Sequence, residues 1–224
     1  IRMDIALATL LSPIVLFFLL GLGAALLRSQ MTIPEAFAKG LAIYLMMSIG
    51  LKGGVEISKG ELGWDAGLVM ISAVGLSFLL PVIAFALLRF TTRLDRIDAA
   101  ATAAHYGSIS IVTFVAAGQA VAAAGLEAAG YLVAVAALME VPAIISALVI
   151  ANRGAVKSEA VAGSDKGELA REVLLNASVV VLLGALVIGW ITGEAGMQSV
   201  APFFVTPFQG VLCLFLLDMG LSAG

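Results

Sequence analysis

Charge is nearly absent from long stretches of this chain and is concentrated between them. Uncharged or nearly uncharged segments fall at Ile5–Leu27, Ala36–Gly50, Ala66–Leu88, Ala99–Leu126, Ala128–Ala151, Val173–Gly193 and Ala195–Leu217. About 20 apolar residues in a helix cross the hydrocarbon core of a bilayer, so these segments are read as seven membrane spans. Lys39 interrupts the start of the second and Lys52 closes it. That span is therefore placed over Pro34–Gly54, with Pro34 in the first helical turn, where a missing N–H costs nothing.

Composition agrees with this pattern. Of the 224 residues, 62% are hydrophobic and 12% charged, and the mean hydropathy is +1.12. Soluble domains are about half apolar and a quarter charged, so the chain is read as an integral membrane protein. Seven apolar core helices of a soluble protein would leave too little polar surface. The first segment is too long for a signal-peptide core and lacks a small-residue cleavage site. A net charge of −3 with no basic run excludes a nucleic-acid grip. Cys213 is the single cysteine and lies in an apolar stretch, so it is read as packing.

Positive charge orients the spans. One side holds Arg2, Lys52 and Lys59. The other holds nine: Arg28, Lys39, Arg89, Arg93, Arg96, Arg153, Lys157, Lys166 and Arg171. The N-terminus is accordingly expected outside. Asn152–Glu172 alone has soluble composition and reads as a cytoplasmic hinge between two halves.

Those halves share a signature. Met47-Ser48-Ile49-Gly50-Leu51-Lys52-Gly53-Gly54 recurs 170 residues later as Leu217-Asp218-Met219-Gly220-Leu221-Ser222-Ala223-Gly224, and Pro34 and Pro207 begin the two spans. Five spans precede the hinge, an odd number, so a second copy enters from the opposite face. The expected organisation is all-α, with inverted five-helix repeats: residues 1–152 as the first, 153–172 as the linker, and 173–224 as the first two spans of an incomplete second repeat. A self-sufficient seven-span protein is the other reading of that length.

Candidate chemistry lies in span four, where Ala99–Leu126 runs 28 positions without Asp, Glu, Lys or Arg. Near its first third come His105-Tyr106-Gly107-Ser108-Ile109-Ser110-Ile111-Val112-Thr113. Polar groups in hydrocarbon usually face a cavity or another helix, and Gly107 is where this helix is expected to break. Free N–H groups and the helix dipole at the new start suit an anion, while carbonyl and hydroxyl oxygens suit Na+. Gly107, Ser108, Ser110 and Thr113 are the candidate substrate-binding residues, with Thr113 and Glu140 as candidate Na+ ligands. Glu140 is the only acid in span five and precedes Pro142, which leaves a carbonyl free one turn back. The plainer alternative is that the hydroxyls bond their own helix or bind helices together. His105 is assigned a structural hydrogen bond ahead of proton coupling. Asp218 is either functional or an interfacial acid. No His/Cys cluster points to zinc or haem.

Four stretches resemble the sodium-dependent bicarbonate transporter family. Met31-Thr32-Ile33-Pro34-Glu35-Ala36 is similar to its Leu-Thr-Ile-Pro-Asp-Ala, and Gly50-Leu51-Lys52-Gly53-Gly54 to its Gly-Leu-Ser-Gly-Gly. Ala101-Thr102-Ala103 through Gly107, Ser110 and Thr113 follows its binding stretch, and Met139-Glu140-Val141-Pro142-Ala143 is similar to its Met-Asp-Ile-Pro-Ala. The resemblance implies ten spans in two inverted repeats, a core and a gate domain, homotrimers in a bacterial inner (plasma) membrane, and Na+-coupled bicarbonate uptake. It also implies a PII-like cytoplasmic regulator, contact with membrane lipid, and no cofactor beyond Na+ as coupling ion. Three further spans would then complete the site. Val112 replaces a hydroxyl residue of cyanobacterial members, and His105-Tyr106 replaces apolar residues. A Na+-dependent organic-anion carrier of the bile-acid symporter or auxin-efflux type is the alternative. An intramembrane enzyme using Ser108 or Ser110 with His105 would lack an acid to orient the imidazole. A membrane receptor or scaffold would leave the repeat unexplained.

Overall fold

The computed structural model describes residues 7, 10–60, 63–155 and 177–224. Among these the chain is helical, with no strand. Its helices are α1 (Pro13–Leu26), α2 (Glu35–Ser58), α3 (Trp64–Thr91), α4 (Arg96–Ala104), α5 (Ile111–Ala123), α6 (Leu132–Ala155), α7 (Ala177–Phe204) and α8 (Phe208–Ala223). Of these, α2, α3, α6 and α7 are long and apolar enough to cross a membrane, while α1, α5 and α8 are shorter apolar helices.

Local chemistry sets the boundaries. Pro34 and Pro207 occupy the N-cap positions of α2 and α8. The Asp95 carboxylate caps α4 by accepting from the Asp98 amide at 2.7 Å. Three boundaries differ from the sequence reading. First, α2 continues through Gly53-Gly54 to Ser58, so Lys52 is inside the helix and not in a loop. Second, α6 runs to Ala155, three residues into the expected linker. Third, Ala195–Phe204 is not the start of span seven: it is the second limb of α7, bent at Gly193 with φ 59° and ψ −155°. That φ is left-handed, which glycine adopts without Cβ strain. The rest of the linker, with Lys157, Lys166 and Arg171, lies outside the described residues, as does Arg2.

The helices pack as two groups. In one, α3, α4 and α6 touch each other; in the other, α2 packs on α7 and α8 on α1, with α2 against α8. Contacts of α2 and α7 with α6 join the groups. Lipid tails are as apolar as leucine, so close approach rather than water exclusion holds such helices together. Glycine provides that approach. A Cβ on Gly50 would stand 2.5 Å from the Leu182 carbonyl oxygen and 2.8 Å from the Ala185 Cβ, and one on Gly54 would strike the Leu186 carbonyl. Where α8 meets α1 the arrangement returns: a Cβ on Gly220 would strike Phe18, Gly21 and Leu22, and one on Gly224 would stand 3.1 Å from the Leu22 carbonyl. Offsets of 170 from α2 to α8 and 164 from α1 to α7 turn one set of contacts into the other. Ile14, Tyr44, Leu45, Phe208, Leu212, Cys213 and Leu216 form a buried cluster in the second group.

Candidate functional site

Span four is broken where the sequence reading expected it. Helix α4 ends at Ala104, residues 105–110 leave the helix, and α5 begins at Ile111. Ser110 is the N-cap of α5, its hydroxyl accepting from the Thr113 amide at 3.4 Å. The amides of a first helical turn have no backbone acceptor within their own helix; the cap takes that of Thr113, and those of Ile111 and Val112 are left as donors on offer.

Gly107 is buried against α3 and α6. A Cβ there would lie 2.6 Å from the Pro81 ring, 2.6 Å from the Ser77 carbonyl oxygen and 2.8 Å from the Ala143 Cβ. Its φ is not left-handed. The requirement at Gly107 is space. Pro81 has no N–H for the Ser77 carbonyl, and Pro142 has none for the Leu138 carbonyl, so both packed helices carry a gap in their ladders beside the break. Hydroxyls bridge them there: Ser77 donates to the Met139 carbonyl, and Ser146 to the Phe78 carbonyl at 3.3 Å. At the far end of α4, the Arg96 guanidinium donates twice to the Ile150 carbonyl, at 3.2 and 3.1 Å, and lies over the Phe85 ring. Arg96 thereby ties the start of α4 to α6, and the two serines tie α3 to α6 beside the break.

A cavity of about 340 Å³ opens beside the break, where the two helix groups meet. Ser108, Ile109 and Ser110 line it from the break, Glu140 from α6, Lys52 and Ile49 from α2, Phe114 from α5, Leu182 from α7, and Phe208 and Phe215 from α8. Its walls are mostly apolar, with two hydroxyls, one carboxylate and one ammonium. His105 lies within electrostatic reach of Glu140, with its side chain exposed.

Of the residues singled out from sequence, Ser108, Ser110 and Glu140 thus share one cavity. Gly107 stands behind it as a packing position. Thr113 is exposed and has no place on the cavity wall; its amide, not its hydroxyl, engages Ser110. Asp218 is also absent from the wall, and Cys213 is buried with a free thiol. Lys52 and Phe208 were not foreseen as site residues. The available signal was a lysine in a segment that stays apolar on both sides.

Residues 13–224 match the family model of the Na+-dependent bicarbonate transporter superfamily. The chain belongs to that superfamily. Among curated individual proteins, none matches it. Membership covers every helix described above, and several apolar helices in a transporter superfamily make this a multi-pass membrane protein. A bicarbonate transporter needs oxygen ligands for Na+ and hydrogen-bond donors for an anion. The cavity offers both from the residues of the break and of α6.

Proposed function

We propose that this superfamily member is a secondary active transporter that couples Na+ entry to uptake of bicarbonate, with the cavity beside Gly107 as its site. The reading rests on one observation: a broken span, its two serines and an intramembrane carboxylate converge on one cavity between two helix groups. Roles follow from chemistry. Amides of the first turn of α5, with the Ser110 hydroxyl, suit the anion. The Glu140 carboxylate and the Ser108 hydroxyl, both on the cavity wall, are hard oxygen donors suited to Na+. Thr113 takes no ligand in this scheme: its amide is held by the Ser110 cap and its side chain is off the cavity wall.

The matching glycine contacts of α2 on α7 and α8 on α1 support an inverted repeat in which α1 corresponds to α7 and α2 to α8. On this reading residues 1–152 form one repeat and 173–224 open a second. The group of α3, α4 and α6 is then a core that moves against a gate formed by α1, α2, α7 and α8. Seven spans, an outside N-terminus, a bacterial plasma membrane, a homotrimer and a PII-like regulator complete the proposal.

The cavity's volume and apolar walls favour a second reading, because about 300–1,000 Å³ is the range of pockets that hold drug-sized ligands. That reading is Na+-driven transport of an organic carboxylate. Competition separates the two. Proteoliposomes take up radiolabelled bicarbonate under a Na+ gradient while acetate, benzoate or a bile acid is added outside. Displacement by unlabelled bicarbonate alone supports the first reading; displacement by the larger carboxylates supports the second.

A further inference from the structure

We propose that Lys52 is the fixed positive charge that makes this cavity select an anion. The inference rests on reading the cavity as the transport site and adds a residue that reading does not use. Lys52 is the one charged residue of α2 between Ile49 and Val55 and sits six residues before its end, partly buried; Glu56, one turn on, is paired with Lys59 at 2.7 Å. An ammonium is costly to hold among apolar side chains, so its retention calls for a partner. No carboxylate among the described residues lies within salt-bridge distance of it, Glu140 on the same cavity included. Its contact is aromatic: Nζ lies over the Phe208 ring, 4.4 Å from the centroid.

A ring face attracts a cation without neutralising it, so the charge remains available to a ligand. Lys52 on α2 faces the cavity from the group opposite to α6, and Ser108 and Ser110 line the same cavity from the break, so an anion held between Lys52 and the serines would tie α2 to the broken span. The counterpart of Lys52 in α8, 170 residues on, is Ser222. A serine is therefore compatible with this helix signature, and the lysine adds charge rather than shape. The ligand class that follows is a small oxyanion, with an ammonium on one side and hydroxyls and amides on the other.

The test rebuilds the charge chemically in the full chain. Lys52→Cys is made in a Cys213→Ser background and alkylated with bromoethylamine, which restores a lysine-length cation with sulfur in place of one methylene. Before alkylation, half-saturation for bicarbonate should rise about ten- to a hundredfold, the loss of one hydrogen bond to a charged group. Aminoethylation should return it to within about threefold of the Cys213→Ser parent, while alkylation with neutral iodoacetamide should not. Lys52→Ser should behave like the unmodified cysteine and Lys52→Arg like wild type. Variants are first checked for assembly by gel filtration; if the cysteine form fails, Lys52→Gln is read in its place. Unchanged half-saturation in the neutral variants, or equal rescue by both reagents, overturns the proposal. If the Cys213→Ser parent shows no Na+-driven uptake, the failure lies in the transport reading instead.

Discussion

Ser110 carries two jobs at one position, which makes it the most informative single residue. Its hydroxyl caps α5, and its place on the cavity wall offers the same group to a ligand. Ser110→Ala should raise the half-saturating bicarbonate or Na+ concentration roughly ten- to a hundredfold, from about 1.5–3 kcal/mol for a hydrogen bond to a charged group. Loss of the cap alone costs about 0.5–2 kcal/mol of helix stability, so thermal unfolding must be measured alongside. Ser108→Ala removes a wall hydroxyl without removing that cap, and a similar rise there would assign the effect to binding. Thr113→Val should change uptake little, because the Thr113 hydroxyl is off the cavity. Glu140→Gln keeps the shape of the side chain and should abolish the dependence on Na+, read from uptake at graded Na+ concentrations. The serines and the glutamate were legible because polar groups inside apolar runs stand out. Lys52 was not, because a lysine followed by two glycines reads as the end of a helix.

At the scale of elements, glycine is what the linear pattern misreads. Gly53-Gly54 looks like a helix stop, since glycine favours the left-handed residue that ends a helix in water. Here Gly54 lies flat against the Leu186 carbonyl, and α2 runs on to Ser58. Gly193, by contrast, bends α7 at a point where the sequence reading placed a loop between spans. The break after Ala104 was readable, because a glycine among three hydroxyl residues concentrates helix-weakening groups. Why that break must be a glycine was not readable, because the Pro81 ring and the Ser77 carbonyl come from another helix. Gly54→Ala should destabilise the protein by about 1–3 kcal/mol, the usual cost of overpacking, read as a lower unfolding temperature in detergent. Gly184→Ala is the control: nothing lies within 4 Å of its Cβ position. That change should be neutral or stabilise by up to about 1 kcal/mol. Equal loss in both would contradict the packing role of Gly54.

For the whole molecule, the helix groups and the cavity between them connect structure to transport. A site walled by both groups can be opened to either side when one moves against the other, which is the geometry alternating access requires. The asymmetry of positive charge predicts that the chain after α3 faces the cytoplasm and the chain after α2 faces out. Single cysteines replacing Arg93 and Lys59 in a Cys213→Ser background test this in intact cells. An impermeant thiol reagent should label Lys59→Cys and leave Arg93→Cys untouched. Coupling itself is tested most directly by imposing a Na+ gradient on proteoliposomes that hold the purified protein and following radiolabelled bicarbonate. Na+ coupling through Glu140 requires uptake that follows the inward Na+ gradient, stops when K+ replaces Na+, and loses its Na+ dependence in Glu140→Gln. Bicarbonate flux indifferent to Na+, or Na+-driven flux unaltered in Glu140→Gln, would contradict it.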